Sequence, residues 1–367
     1  MQEIFRKYRL FFILAAILVA AFLIWFFSEI VIYLLLAGVI SMIGAPVVSM
    51  FDRLRIGRFG FPRALSVAFT LILFLSLFLG MLALFIPLVA NEATLISSID
   101  GTKLLQYYSK EIAWLRANLV YFGILKRGLS LEATIKELLR KFIDFSMFSD
   151  ILSSVILFAG QFFIGLFSIV FLSFFFLKDP EMLPRFILLV TPDKFEEKTR
   201  NVMSKSRQLL SRYFIGLVLQ ILANISTYSL ALYLVGVNSP LVIGFFAGII
   251  IIVPYIGGII AMALGVVLGV TGVISAGEYA MVFPMIVRIL AAMAVVQLID
   301  NNVFAPLIQG HSVRAHPVEI FLVVIAAATI GGMLGMVVAV PVYGFIKIVA
   351  GEFLSHFRIV QHMAEKK

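Results

Sequence analysis

The chain has 367 residues, of which 62% are hydrophobic and 13% charged, and its formal net charge is +9. Soluble domains carry roughly 25% charged and about 45–50% apolar residues, so this composition excludes a water-soluble globule and predicts a polytopic membrane protein. The absence of cysteine excludes disulfides, thiolate catalysis and Cys-ligated metal centres, and the surplus positive charge is expected on loops facing anionic lipid rather than on a nucleic-acid surface.

Apolar segments recur along the chain at the length that a membrane helix needs, which is about 20 residues. We therefore predict an all-α membrane bundle of about eight spans. The predicted spans are 10–27, 30–51, 64–90, 151–177, 209–235, 240–273, 280–299 and 318–350. The first resembles a signal peptide but lacks a clear cleavage site, so we expect it to be retained. The sixth has Pro254 and Gly257 in its middle and is either one kinked span or a re-entrant hairpin.

Basic residues are concentrated before the first span, after the second and after the fourth. Because Lys and Arg are enriched on cytoplasmic loops, this pattern predicts that both termini are cytoplasmic. A reversal in the sixth segment would invert everything that follows it. The basic residues on the predicted cytoplasmic side are Arg6, Lys7, Arg9, Arg53, Arg55, Arg58, Arg63, Lys178, Arg185, Lys194, Lys198, Arg200, Lys205, Arg207 and Arg212.

Two stretches are predicted outside the bilayer. Apolar residues at helical spacing in 102–145 indicate a pair of amphipathic helices, and the mixed charge of 178–212 indicates a solvated cytoplasmic helix that leads into the fifth span. The chain accordingly divides into spans 1–3, an extramembrane segment, span 4 with its connecting helix, the C-terminal transport spans and a tail. The boundaries are 1–90, 91–150, 151–208, 209–350 and 351–367.

Glycine is concentrated near the C-terminus, since 15 of the 26 glycines lie in residues 236–351. Small residues let helices approach closely, and broken spans are tolerated where they line a cavity. Three GxxxG spacings, which begin at Gly244, Gly265 and Gly331, favour plain packing. The predicted hinge or broken-helix residues are Pro254, Tyr255, Gly257, Gly258, Pro306, Gly310, Gly335 and Pro341.

One group of polar residues ends the seventh segment. Gln297 and Asp300 share a helix face and are followed by Asn301 and Asn302. A carboxylate beside carboxamides can ligate a hard cation, hydrogen-bond a polyol, or exchange a proton when it is buried. The alternative is that Asp300 caps a helix at the water boundary.

Other polar residues lie within apolar segments. Gln220 and Asn224 place two amides on one face of the fifth span, either as interhelical contacts or as part of a polar pathway. Arg288 lies in an apolar run, where it needs a partner such as Glu278 or Glu319, unless it reaches the interface without a transport role.

Motifs for catalysis, ATP hydrolysis and metal binding do not appear in the sequence. It contains neither GxxxxGK[ST] nor HExxH, and the four histidines have no spacing typical of zinc. We therefore predict a protein that is not an enzyme and that needs neither a cofactor nor a metal.

Three groups of residues within about 210–345 occur in a characteristic order. They are Pro254–Tyr255–Ile256–Gly257–Gly258; Asp300–Asn301–Asn302 followed by Pro306, Gly310, His316 and Pro317; and Gly331–Gly332, Gly335 and Ala339–Val340–Pro341. With these residues the chain resembles the AI-2E family of bacterial and archaeal membrane proteins, also called autoinducer-2 exporter-like permeases. The resemblance implies a transporter without its own ATPase, with seven or eight spans in each subunit, that forms a homo-oligomer in the cytoplasmic (inner) membrane. Members have been linked to export of autoinducer-2, a small polyol, and in another branch to sodium (or lithium)/proton antiport.

These observations leave three hypotheses. The first is a secondary transporter that exports a small polar organic molecule such as autoinducer-2. The second is a sodium (lithium)/proton antiporter with Asp300 as its coupling carboxylate, and the third is a non-transporting membrane scaffold that acts through residues 102–145.

Overall fold

The computed structural model describes six main stretches of the chain. They are residues 25–53, 62–97, 101–122, 159–254, 256–309 and 316–353, with short pieces at 18–19, 22–23, 55–56, 59–60, 99, 133–135 and 137. The elements are α1 (Ser28–Asp52), β1 (Arg55–Ile56), β2 (Phe59–Gly60), α2 (Arg63–Ser97), α3 (Gly101–Tyr107), α4 (Ser109–Tyr121), α5 (Ala159–Lys178), α6 (Met182–Val190), α7 (Glu196–Leu234), α8 (Pro240–Ile250), α9 (Gly257–Gly269), α10 (Thr271–Ser275), α11 (Val282–Ile299), a π-helix (Asp300–Gln309) and α12 (Pro317–Phe353). Two 3₁₀ turns, Asp193–Phe195 and Tyr279–Met281, precede α7 and α11.

Long apolar helices dominate the described chain. Six of them are long and apolar enough to cross a membrane, or seven if the bent pair α5–α6 is one span. The only pairing between strands in the described residues is the two-residue antiparallel ladder of β1 and β2. The prediction of an all-α polytopic bundle is therefore confirmed. The first predicted span, 10–27, lies largely outside the described residues.

The chain forms two compact units. The first comprises residues 1–75 and 158–211, and the second comprises residues 76–157 and 212–367. In the first unit α1 packs along α5 around Val48, Val67, Leu71 and Leu177. The Ser173 hydroxyl is fully buried there and donates to the carbonyl of Ile169 at 2.7 Å, so the polar group is satisfied within its own helix.

The stretch after α5 differs from its prediction. Residues 178–212 were expected to form one solvated helix, but the apolar helix α6 turns away from α5 by 82° before α7 begins. Phe186 and Leu189 on α6 are 67% and 85% exposed. An apolar, exposed helix at a large angle to a span is typical of the membrane interface, which differs from the solvated cytoplasmic helix expected for residues 182–190.

The first predicted amphipathic helix outside the bilayer is present as α3 and α4. The two helices are separated at Tyr108, whose Oη donates to the carbonyl of Tyr279 at 2.6 Å. Burial raises the pKa of the Tyr108 hydroxyl. This bond joins the α3–α4 segment to the turn that precedes α11. Most of the second predicted amphipathic helix lies outside the described residues.

The sixth predicted span is a helical hairpin, which we call hairpin 1 (residues 240–275). Ile243 on α8 packs beside both Gly265 and Gly269 on α9. In one straight helix Ile243 and Gly265 would be about 33 Å apart at 1.5 Å per residue. The chain therefore reverses between α8 and α9. Of the two alternatives left open by the sequence, the structure has the hairpin.

The tip of hairpin 1, residues 251–256, satisfies much of its own backbone. The amides of Ile251, Ile252 and Val253 donate to carbonyls within α8 at 3.1–3.2 Å, and the Gly257 amide donates to Val253 at 2.9 Å. Backbone that is at membrane depth must find its partners within the protein, and this tip meets that requirement without polar side chains.

The last predicted span, 318–350, is wrong as a single span. Helix α12 breaks at Gly332, whose φ of 56° and ψ of −139° are non-helical. The Tyr343 hydroxyl donates to Glu319 Oε2 at 2.5 Å, although a straight helix would separate these residues by about 36 Å. The arms 318–332 and 335–353 therefore fold against each other as hairpin 2. Hydropathy could not reveal this reversal because both arms are apolar, and only a glycine accommodates the positive φ without strain.

Candidate functional site

The polar residues of two distant helices meet in the second unit. Gln220 Nε2 and Asn224 Nδ2, four residues apart on α7, donate to the same oxygen, Asp300 Oδ1, at 2.8 Å and 2.7 Å. Asn224 is fully buried and Asp300 is 4% exposed. The structure thus joins two groups that the sequence identified separately. Asp300 is buried at the start of the π-helix and accepts from side chains of α7, which favours the polar-site reading over that of a cap at the water boundary.

A second chain of hydrogen bonds runs beside Asp300. Tyr228 Oη donates to Gln297 Oε1, and Gln297 Nε2 donates to Asn301 Oδ1, both at 3.2 Å. The Gln297 carboxamide lies against the α-carbon of Gly258, so that any side chain at position 258 would overlap it. The glycine therefore lets the tip of hairpin 1 approach the polar residues of α11.

The π-helix changes how α11 presents its polar residues. Its i→i+5 hydrogen bonds widen the turn after Ile299, and such segments are frequent at functional sites. Asp300 points into the protein, whereas Asn302 is exposed and its side chain donates to the Leu298 carbonyl at 2.8 Å. Pro306 lies within the π-helix and is also exposed. Asn302 is therefore outside the hydrogen-bond network around Asp300.

These groups border a cavity of about 530 Å³. Its polar wall contains Gln220, Gln297, Asp300 and Asn301, and the tip of hairpin 1 contributes an apolar wall that includes Pro254. The remaining lining residues are Leu217, Ile221, Ile251, Ile252, Val253, Gly258, Ile259 and Met262. Pockets that bind small molecules combine an apolar lining with a few polar groups in this way, and a cavity of this size falls in their usual range.

One acceptor in this network has no partner. Asn224 Oδ1 is buried, and no described residue donates a hydrogen bond to it. Buried acceptors in native proteins are nearly always satisfied, so an orphan of this kind calls for an explanation. A hydroxyl group or a cation close to Asn224 would satisfy it.

Arg288 lies outside this site. Its side chain is exposed, it does not line the cavity, and among the described residues it makes no ion pair with Glu278 or Glu319. Glu319 is instead bonded to Tyr343 within hairpin 2. The reading in which Arg288 extends to the interface fits these observations better than a buried ion pair.

The predicted hinge residues are distributed over both hairpins. Pro254 lies in the tip of hairpin 1, Gly257 and Gly258 follow the tip, and Gly257 packs tightly against the Ile250 carbonyl. In hairpin 2, Gly335 packs against the carbonyl of Ala327, and Pro341 is buried in the second arm. Tyr255 and Gly310 lie outside the described residues.

The sequence analysis missed a second buried carboxyl, Glu92. The predicted third span ended at residue 90, but α2 continues to Ser97, and Glu92 is 3% exposed. The sequence does contain a pattern that indicates burial of Glu92. This residue shares a helix face with Val89, Ala93 and Ile96, and apolar residues at i, i+3 and i+4 spacing indicate a buried stripe.

Adjacent glycines at the base of the tip should respond differently to alanine. At Gly257 a Cβ would lie 2.9 Å from the Ile251 α-carbon, and backbone cannot move aside, so we expect Gly257→Ala to lower the melting temperature of the purified protein clearly. At Gly258 the Cβ meets the movable end of Gln297, so Gly258→Ala should melt near the native temperature but reduce transport several-fold. Equal melting temperatures for the two variants would contradict the observed packing.

Comparisons with known proteins cover nearly the whole chain. A family model described as "AI-2E family transporter" matches residues 11–355. The chain is 25% identical over 344 residues to "Putative transport protein YueF" of Bacillus subtilis, covering 92% of this chain and 86% of that protein. It is 26% identical over 192 residues to YrrI of the same bacterium, which has the same description, covering 51% of this chain and 50% of that protein. With sll0060 of Synechocystis sp., also described in that way, it shares 26% identity over 155 residues, 42% of each chain.

Proposed function

Because this chain belongs to the AI-2E family of transporters, we propose that it is a secondary carrier that exports a small polar organic molecule, such as autoinducer-2, through the cavity beside Asp300. The chain is an integral membrane transport protein. The family is one of transporters, which favours transport over the scaffold hypothesis and over an enzymatic role. We also propose, from the basic loops and the family resemblance, a homo-oligomer in the cytoplasmic membrane with both termini in the cytoplasm.

The cavity lining carries this proposal. One wall offers carboxamide and carboxylate groups, and the opposite wall is aliphatic. A small polyol has hydroxyl groups that can bond with Asp300 and Asn301 and a carbon skeleton that can rest on the tip of hairpin 1. A volume of about 530 Å³ holds such a molecule together with water, and is far larger than one dehydrated monovalent cation needs.

Cation/proton antiport is the second candidate, and the buried Asp300 favours it. Two amide N–H groups donate to Asp300 Oδ1 and hold the carboxyl group in place beside the cavity. Together with the amide oxygen of Asn301, which also lines the cavity, this carboxylate would provide oxygen ligands of the kind that a hard cation prefers.

The deciding experiment uses purified protein in proteoliposomes. One set contains labelled autoinducer-2 and reports its efflux, and a second set contains a pH-sensitive dye and reports proton movement after sodium is added. Both sets compare the native chain with Asp300→Asn, which we expect to lose transport, and with Asn302→Ala, which changes an exposed residue outside the cavity. Native efflux that Asp300→Asn abolishes supports solute export, whereas a sodium-dependent proton signal that Asp300→Asn abolishes supports antiport.

Two results would overturn the assignment of the site. Transport by Asp300→Asn at the native rate would remove Asp300 from the pathway. Loss of transport in Asn302→Ala, at native abundance and melting temperature, would show that the pathway runs along the exposed face of the π-helix rather than through the cavity.

A further inference from the structure

Glu92 lies apart from the cavity, near the end of α2. Its neighbours on the same helix face, Ala93 and Ile96, are buried, and Ile96 belongs to the main core of the second unit. The carboxyl contacts Thr271, the first residue of α10, which is itself 4% exposed. The pair therefore joins α2 to the returning arm of hairpin 1.

The hydrogen bonds at Thr271 indicate where a proton lies. Thr271 Oγ1 is 2.5 Å from Glu92 Oε1 and 2.6 Å from the carbonyl oxygen of Leu268. A hydroxyl group has one hydrogen, and a carbonyl oxygen can only accept. If Thr271 donates to Leu268, as its position one turn later favours, the hydrogen in the bond with Glu92 must come from the carboxyl. In that arrangement Glu92 Oε1–H donates to Thr271 Oγ1, and Thr271 Oγ1–H donates to the carbonyl oxygen of Leu268.

The surroundings of the second carboxyl oxygen of Glu92 also favour a protonated side chain. Glu92 Oε2 is buried, and no described residue donates a hydrogen bond to it. The charged residues that follow α10, Glu278 and Arg288, form no ion pair with Glu92 in the described chain. An ionised carboxylate with so few hydrogen-bond partners is strongly disfavoured in a buried site, whereas a neutral carboxylic acid can be buried with the same few partners. Asp300 differs, because two N–H groups donate to one of its oxygens.

We infer that Glu92 is a proton-binding site of the transporter, that it carries a proton in this conformation, and that Asp300 contacts the transported solute or cation instead. During the cycle the O–H bond of Glu92 breaks, the proton passes to water, and the resulting carboxylate is later reprotonated from water. The inference rests on the proposed transport function for its role in coupling, but the protonation of Glu92 can be tested without any substrate.

One arm of hairpin 1 connects the two carboxyl sites. Gly258 at one end of α9 lies against Gln297 in the Asp300 network, and Thr271 on α10 contacts Glu92. These positions are roughly 20 Å apart at the rise of an α-helix. Because the arm contacts both sites, a displacement that opens the cavity would also break the bond between Thr271 and Glu92. This gives proton release a physical link to solute movement.

The first test is infrared difference spectroscopy of the full chain in lipid, in H₂O and D₂O. We expect a carbonyl band of a protonated carboxylic acid that disappears in Glu92→Gln and persists in Asp300→Asn. Thr271→Val should shift this band to higher frequency, because the acid loses its acceptor. Glu92→Gln keeps a donor for Thr271 and should fold normally. Absence of the band from native protein, or its persistence in Glu92→Gln, would overturn the inference.

The second test separates exchange from coupling in proteoliposomes. Glu92→Gln should retain solute exchange between equal concentrations on the two sides of the membrane, which needs no net proton movement. Its rate of transport driven by a pH gradient should fall at least tenfold. Loss of both activities at a native melting temperature would remove the coupling role. If the native chain moves neither autoinducer-2 nor sodium, the proposed function fails, while the infrared result still decides whether Glu92 binds a proton.

Discussion

Gly244→Ala combined with Gly248→Ala should leave little folded protein after extraction into mild detergent. A Cβ at position 244 would lie 2.7 Å from the backbone nitrogen of Ser229, and one at 248 would lie 2.8 Å from that of Ile225. Both contacts are with the backbone of α7, so no rotamer change relieves them. Overpacking costs typically about 1–3 kcal/mol per site, a large share of a total stability of roughly 5–15 kcal/mol.

Thermal unfolding and size-exclusion profiles would measure this loss. Gly80→Ala is the matched control, because it lies within the long helix α2 and its Cβ would meet nothing within 4 Å. Alanine is the better helix former, so this control should melt at or slightly above the native temperature. Equal stability of the double variant and the control would show that α8 does not pack on α7 as described.

Asn224→Leu should reduce transport by about tenfold or more while the protein remains folded. Leucine has the same number and branching of side-chain heavy atoms as asparagine but cannot donate to Asp300 Oδ1, which would lose the bond from position 224 and keep that from Gln220. Losing a hydrogen bond to a buried charged group costs about 1.5–3 kcal/mol, and about 1.4 kcal/mol corresponds to a tenfold change.

Initial rates of solute efflux at several concentrations would test this expectation. Asn302→Leu makes the same chemical change at an exposed residue whose side chain is bonded to its own helix, and should transport normally. If both variants lose transport equally, the loss in Asn224→Leu does not result from its missing hydrogen bond to Asp300. If neither does, Asn224 is a purely interhelical contact.

The sequence was sufficient for the class of fold and for most spans. Helix α1 and the apolar part of α7 match the predicted segments closely, because hydropathy reports how long an apolar run is. Hydropathy does not show whether the chain continues straight or reverses within an apolar run. The reversal in hairpin 2 depends on one positive φ at Gly332, and the reversal in hairpin 1 depends on contacts such as those of Ile243 with Gly265. The GxxxG spacing at Gly244 did indicate close packing, but not that the partner would be α7.

The candidate site was predictable residue by residue, but not as an arrangement. Helical spacing alone pairs Gln220 with Asn224 and Gln297 with Asp300. Their meeting depends on tertiary packing between segments 76–80 residues apart, which no local pattern encodes. Arg288 does not line the cavity, because an apolar run does not show which face of a helix a charge occupies. Glu92 was missed because the predicted span ended two residues before it.

Hairpin 1 places the two carboxyl sites at its opposite ends. Its tip borders the cavity beside Asp300, where Gly258 lies against Gln297. Its two ends meet, because Gly272 on the returning arm packs against Asn238, which precedes α8. Thr271, which contacts Glu92, lies at these ends. The solute that we propose for the cavity and the proton that we propose for Glu92 would therefore bind at opposite ends of one hairpin, so neither can displace the other by direct competition for a site.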